Sequence, residues 1–426
     1  MTTREGHIEL QQFLQPRLHN YLSLLEEMVA INSFTANPAG VGQLSDVTAA
    51  AFGRLGFAAE RVSSGEPLYG DHLFLTRLAT PAAAAPTIGL VSHLDTVFPP
   101  GEERQNDFVW REEGDRIYGP GTVDIKGGTV VIYMLVDVLR TLHPQLFNSV
   151  NWVIMLNAAE EVLVPSFGQL CRDRVPDDAL ACLVFEGGQI DAEEISLVTA
   201  RKGMVTYRIE VAGRAAHAGS AHGDGANAIV EIGHLVSNLA DLTDYDRELT
   251  FNVGTIMGGS VINRVPHHAV ASGEMRAFAP DVLDEGVRSL LAFSESGRVT
   301  SKDGRFQCSI EIEVLNKWSP WPENRATEAL AESFERAAAQ MGYRLKREHR
   351  GGLSDGNFLW DAVPTIDGLG PAGGNAHCSE RSLDGSKEQE YALRSSFVPK
   401  ATLSALAIMT LVKEWQRDAI TETMKP

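Results

Sequence analysis

Tyr118-Gly-Pro-Gly-Thr-Val-Asp-Ile-Lys-Gly-Gly128 is the stretch on which the reading of this 426-residue chain turns. Glycines crowd both sides of one carboxylate, Asp124, and a long apolar run, Thr129 to Leu142, begins directly after it. Two readings compete. An Asp before an apolar-periodic segment caps a helix, satisfying free backbone N–H groups and the helix dipole. In the other reading the acid does chemistry, and the glycines let backbone and ligands approach it closely. The choice depends on whether other residues need an acid at this point.

Outward from that stretch lie three short apolar runs that read as buried strands: Thr87-Ile-Gly-Leu-Val91, Asn151-Trp-Val-Ile-Met-Leu156 and Leu180-Ala-Cys-Leu-Val-Phe185. They alternate with helical segments, so an α/β fold with a mixed, mostly parallel sheet flanked by helices is expected. Residues 7 to 31 carry apolar positions at helical spacing (Leu10, Phe13, Leu18, Leu22, Leu25, Val29), and a second helix is predicted near Val41 to Leu55. An extended segment follows at His72 to Leu78, and Thr80 to Pro86 is a loop.

From about Gly203 the texture changes. Strands at Met204 to Val211, Phe251 to Ile256, Ala269 to Phe278 and Gln307 to Val314 alternate with helices at Asp224 to Leu242 and Asp281 to Phe293. This β-α-β-β-α-β order is that of a ferredoxin-like α+β unit. The hydrophilic stretch Ser294 to Arg305 reads as a loop. Beyond Asn316 the first texture returns, with a helix at Arg325 to Met341, a strand at Ala362 to Leu369 and a last helix near Phe397 to Gln416. One α/β domain, residues 1–202 and 316–426, is thus expected to be interrupted by a small domain, 203–315.

Composition limits the partners. A net charge of −19 argues against nucleic acid and anionic membrane, which demand a basic face. No apolar run is read as reaching the roughly 18 residues of a membrane span. The N-terminus lacks the apolar core of a signal peptide, so a cytoplasmic location is expected. The four cysteines have no C-x-x-C spacing and read as reduced structural thiols. Any metal site must therefore use His and carboxylates.

Such a set exists. His93, Asp95, Glu160, Glu161 and Glu186 fall at or just past predicted strand ends, where open α/β sheets bind ligands, and Asp124 and His377 sit in glycine-rich loops. Five acids in one crevice would repel one another, and a pair of divalent cations would relieve that repulsion. Mixed His/carboxylate ligation suits zinc, with cobalt or manganese as substitutes. In His93-x-Asp95, the Asp can accept the imidazole's other N–H and fix its tautomer. Taken singly, each residue also has a structural reading: His-x-Asp as a surface pair, Glu-Glu as solvated charge, His377 as a core histidine, Glu186 as a turn cap. Their joint order favours a metal site.

With these motifs the chain resembles the two-metal peptidase and deacylase family of glutamate carboxypeptidase, aminoacylase, acetylornithine deacetylase and succinyl-diaminopimelate desuccinylase, its glutamate carboxypeptidase-like branch above all. The resemblance rests on HLDTVFPPG (93–101), YGPGTVDIKGG (118–128), AAEE (158–161), FEGG (185–188), GRAAHAG (213–219), GTIMGGSVINRVP (254–266) and GNAHCSE (374–380), and covers nearly the whole chain. Ser92 departs from the glycine usual before the first metal histidine. The resemblance implies a zinc-exopeptidase-like domain with an inserted lid and dimerisation domain. It implies that Asp124 bridges two metals, His93 and Glu186 completing one site and Glu161 and His377 the other. Asp95 would support His93, and Glu160 would be the general acid/base.

It further implies that His217 reaches from the partner of a homodimer to stabilise the oxyanion, and that Asn263 and Arg276 hold the substrate's free carboxylate. Gly352 and Ser354 belong to a loop lining the pocket. From the residues alone, His217 also reads as a surface histidine, Arg276 as a strand residue paired with an acid, and Arg201-Lys202 as a solvated pair that could instead attract an acidic side chain. The expected activity is a metallocarboxypeptidase acting on a small peptide, glutamate being the first C-terminal residue to test. The near alternative is an N-acyl-amino-acid deacylase. A non-catalytic binding protein on the same fold would lack a ligand or Glu160, and this sequence lacks neither.

Overall fold

A strand covered on both faces needs an unbroken apolar run, and the stretches Thr87–His93, Asn151–Asn157 and Ala181–Val184 each form a strand buried at every position. In the computed structural model, which describes residues 6–164, 166–294 and 296–423, Thr87–His93 lies parallel between Asn151–Asn157 and Ala181–Val184. Thr365–Ile366 adds a further parallel neighbour. Asp71–Arg77 and then Ala58–Ser63 close the other side antiparallel, giving a six-stranded mixed sheet.

The helix after the glycine-rich stretch spans Lys126–Leu142, and twelve of its residues are buried, among them Val130, Val131, Met134 and Leu135. Its N-cap position is Ile125, without a side-chain capping bond, so the carboxylate of Asp124 is not spent as a cap. Gly127 and Gly128 let the helix start tight against its surroundings. A Cβ at Gly128 would stand 2.1 Å from the carbonyl oxygen of Phe185, the residue before Glu186.

The chain divides into two compact units, one of residues 1–199, 323–348 and 354–426, the other of 200–322 and 349–353. In the second unit five antiparallel strands run in the order Thr250–Gly258, His268–Ala277, Gly203–Ala212, Gln307–Trp318, Ser296–Thr300. Val205, Tyr207, Ile209 and Val211 alternate onto one buried face, which packs with Ile232, Leu235 and Leu239 of helix Ala228–Ala240 and Leu283 and Leu290 of helix Pro280–Leu291.

Several elements differ from the sequence reading. Ser296–Thr300, expected to be loop, is an edge strand; hydrophilic side chains suit a strand with little to bury. The opening helix is two, Gly6–Leu14 and Leu18–Val29, joined by a 3₁₀ turn holding Pro16, which cannot donate within a helix. The strand expected over 362–369 is two residues long, Thr365–Ile366. A 26-residue segment, Arg394–Ala419, which begins three residues before helix Phe397–Thr423, is long and apolar enough by composition to cross a membrane, against the reading that no such run exists. Seventy-two per cent of its apolar window is buried in the fold, where Phe397, Ala401, Leu403 and Ile408 join the main core.

Gly128→Ala forces a methyl group against the Phe185 carbonyl and is expected to cost about 1–3 kcal/mol, read from urea unfolding. Wild-type stability in this variant would mean that the close approach is relaxed at no cost.

Candidate metal centre

The segment after strand Asn151–Asn157 is a turn, and its backbone amides need partners once buried. Four successive N–H groups are each held by a buried side chain. Ala158 N donates to His72 Nδ1 (3.1 Å), Ala159 N to Asn157 Oδ1 (3.0 Å), Glu160 N to Asp95 Oδ1 (3.0 Å) and Glu161 N to Asp95 Oδ2 (3.2 Å). Thr35 Oγ1 donates to Asp95 Oδ2 (2.7 Å), and Asn157 Nδ2 to Asp355 Oδ1 (2.8 Å). This lattice fixes where the carboxylates of Glu160 and Glu161 can point.

Asp95 therefore does more than support His93. The Nδ1 of His93 lies 3.0 Å from the Asp95 main-chain oxygen and 3.4 Å from its carboxylate, so the carbonyl is the nearer partner. That leaves His93 Nε2 facing Asp124 Oδ1 at 3.1 Å and Glu186 Oε1 at 3.8 Å. On the other side of the same carboxylate, Asp124 Oδ2 is 3.2 Å from His377 Nε2, which is also 3.2 Å from Glu161 Oε2. The structure thus gathers His93, Asp124 and Glu186 in one group and Asp124, Glu161 and His377 in another, each with donor atoms within 4.8 Å of one another. Asp124 is common to both.

Charge makes these groups suited to cations. Burial, the largest cause, pushes Glu160 well above the ordinary carboxylate range; His93 opposes it, and Glu186, Asp355 and Glu161 reinforce it. Burial likewise raises Glu161. Burial works against the ionised form of Asp124, but hydrogen bonds from His377 and His93 outweigh it and hold this carboxyl below its usual range. Hydrogen bonds to Asp124 and Glu161 push His377 up to about 10. Glu161 Oε1 is buried without a hydrogen-bond partner among the described residues. A buried carboxylate oxygen with no donor, beside two imidazoles and a shared aspartate, fits a divalent-cation ligand set.

In the inserted unit, His217 is exposed and its Nδ1 accepts from Gly219 N and Ser220 N, both at 3.1 Å. The two backbone donors assign the ring proton to Nε2, leaving an exposed donor. Ala218 N donates to Asn263 O (3.0 Å), which sets Asn263 beside that histidine. Arg276 is otherwise engaged. Its Nε and Nη2 donate to both carboxylate oxygens of Glu274, at 2.9 and 3.0 Å, and Nη1 to Gly351 O at 2.9 Å. Gly352 accepts through its carbonyl from Arg201 Nη1 at 2.9 Å. Ser354, expected to line the substrate pocket, is instead fully buried: its hydroxyl donates to Asp367 Oδ2 and caps the turn Asp355–Phe358. Its small side chain suits a cap, and its hydroxyl is engaged by Asp367 and the Gly356 amide.

The profile of peptidase family M20/M25/M40 matches residues 89–398. Carboxypeptidase G2 of Pseudomonas sp. (strain RS-16) is 26% identical over 395 residues, covering 92% of this chain and 89% of that one. Succinyl-diaminopimelate desuccinylase of Bordetella petrii is 24% identical over 376 residues, covering 84% and 90%. Among solved structures, aminopeptidase PepT from Bacillus cereus superposes with a TM-score of 0.71 at 21% identity, covering 93% of this chain and 99% of that one. An M20 family metallo-carboxypeptidase from Sulfolobus solfataricus does so with a TM-score of 0.63 at 15% identity, covering 92% and 99%. These likenesses to structures concern the fold. The protein is a metal-dependent hydrolase. It belongs to peptidase family M20/M25/M40.

With His377 held at about 10, its imidazole carries a proton at neutral pH that a cation on the ring must displace. Affinity for Zn²⁺ or Co²⁺ is thus expected to rise with pH up to about 10, the raised Glu161 acting in the same sense. Calorimetric titration in buffers of different ionisation enthalpy should reveal proton release at about pH 7.5. A heat independent of buffer would contradict this protonation state.

Proposed function

We propose that the chain is a two-metal amidohydrolase that cleaves an amide bond next to a free amino-acid carboxylate, in the manner of a metallocarboxypeptidase. The observation that carries this reading is the position of Asp124, whose two carboxylate oxygens face His93 and His377 at 3.1 and 3.2 Å. His93, Asp124 and Glu186 would hold one cation and Asp124, Glu161 and His377 the other, zinc being the first choice and cobalt or manganese the substitutes. Bound there, such a pair would lower the pKa of an attacking water towards ~7 and act as a Lewis acid for the scissile carbonyl.

The chain's own residues do the rest. Glu160, buried and pinned by Asp95, takes the proton of the attacking water and later returns it to the leaving amine. His217 donates from Nε2 to the oxyanion. Asn263 and Arg276 bind the substrate carboxylate, for which Arg276 must exchange its fork from Glu274. The inserted unit serves as lid and homodimer surface. Supporting this, its edge strand Thr250–Gly258 pairs on one side and leaves Ile256 and Met257 exposed, as helix Ala228–Ala240 leaves Ile229 and Val230.

The desuccinylase relative, matched over 84% of this chain, favours a second reading, N-acyl-amino-acid deacylation. A C-terminal glutamate is the first candidate for the carboxypeptidase reading. A metal-reconstituted screen of dipeptides and N-acyl amino acids separates the two. Amidating the free carboxylate is expected to lower kcat/KM by about 100-fold or more, and comparable rates on the amide would remove the carboxylate from recognition.

Glu160→Ala should keep both metals and the fold yet lose about 10²–10⁴ in kcat, measured beside metal content. Hydrolysis at the wild-type rate would end the general-base assignment. Asp124→Asn should lose both metals together, whereas His377→Ala should weaken mainly one; two tightly bound metals in Asp124→Asn would end the bridging role.

A further inference from the structure

Glu390 lies in no motif that carries the family resemblance, yet it is fully buried beside the carboxylate-rich centre. Placing one more acid there is costly unless its position is required. Its Oε1 accepts from Val123 N at 3.1 Å and from Asp124 N at 3.3 Å. Its own backbone N–H donates to Cys378 O at 2.7 Å, one residue past His377, and its carbonyl accepts from Gly119 N at 3.4 Å.

The topology explains why one residue reaches both loops. Strand Tyr391–Leu393, which begins directly after Glu390, is the inner strand between Gly373–Gly374 and Arg116–Tyr118. Tyr391 is paired with Gly374 on one side and with Tyr118 on the other. The first neighbour leads in three residues to His377, and the second in six to Asp124. Gly373 makes this possible, since a Cβ there would stand 2.0 Å from the Tyr391 carbonyl oxygen. Lys126, buried with its Nζ on the Ile31 carbonyl (2.9 Å), places a cation among Glu103 and Glu390.

We propose that Glu390 is a positioning residue for the metal centre, its carboxylate oxygen holding the Asp124 backbone while its main chain holds the His377 loop. One residue thereby keeps the shared aspartate and a terminal histidine in register. The inference rests on the reading of Asp124 and His377 as metal ligands. It assigns the work to the reach of an acceptor oxygen and not to charge.

Two variants separate reach from charge. Glu390→Gln keeps an oxygen where Oε1 stands and removes the charge; Glu390→Asp keeps the charge and withdraws the oxygen by one methylene. Affinity for Zn²⁺ is read by competition with a chromophoric chelator on metal-free full-length protein, alongside the melting temperature of the metal-free forms. Glu390→Gln is expected to bind both cations within about threefold of wild type, and Glu390→Asp to bind them about 10–100-fold more weakly. Leu403→Ala, a core truncation in the last helix, should lower the melting temperature without moving metal affinity. Wild-type affinity in Glu390→Asp, or a loss in Glu390→Gln equal to that in Glu390→Asp, overturns the proposal. If the wild-type chain itself binds fewer than two cations, the ligand reading fails instead, and that result is distinct.

Discussion

The constraint behind the first unit is the mutual repulsion of carboxylates kept out of water. Asp95, Asp124, Glu160, Glu161, Glu186, Asp355 and Glu390 lie close enough to perturb one another or their shared histidines. Backbone amides answer part of that repulsion. Asp95 takes two consecutive N–H groups and Glu390 another two, so each of these acids stiffens a segment that carries a residue of the two His/carboxylate groups. The two imidazoles answer another part, drawn to opposite oxygens of Asp124. What is left, including the Oε1 of Glu161 that has no hydrogen-bond partner among the described residues, is the electrostatic demand for cations.

Much of this was legible in the chain. Continuous apolar runs gave the three central strands, because a strand buried on both faces has no polar alternation to disguise it. The glycine-flanked acid and the residues at strand ends pointed to one crevice of acids and histidines, and the family resemblance implied the two groups in which the structure gathers them. The lattice around the turn at 158–161 was not legible. His72, Asn157 and Thr35 stand in sequence contexts with no motif, and their importance lies in which amides they meet after folding.

The same limit applies to Ser354 and only in part to Arg276. The family resemblance implied a carboxylate-binding Arg276 and a pocket-lining Ser354; the structure pairs the first with Glu274, two positions away on the same strand, and the second with Asp367, thirteen positions on. The residues alone also read Arg276 as a strand residue paired with an acid, and Glu274 is that acid because i and i+2 share a strand face; the partner of Ser354 lies beyond any local pattern. The small sheet of Arg111–Glu113, Arg116–Tyr118, Gly373–Gly374 and Tyr391–Leu393 escaped for a related reason: strands of two or three residues carry no periodic signal.

That small sheet has a consequence for how the molecule can tolerate change. Residues 378–389 leave it after His377 and return to it at Glu390, with both ends tied by hydrogen bonds and Leu383 fully exposed between them. Doubling the length of a loop whose ends are already fixed costs only about 0.6 kcal/mol in closure entropy. Chain added at the exposed tip at Leu383, such as a short epitope or a fluorophore tether, therefore costs little in closure entropy. A centre built on rigid register has at its border one segment free to vary in length.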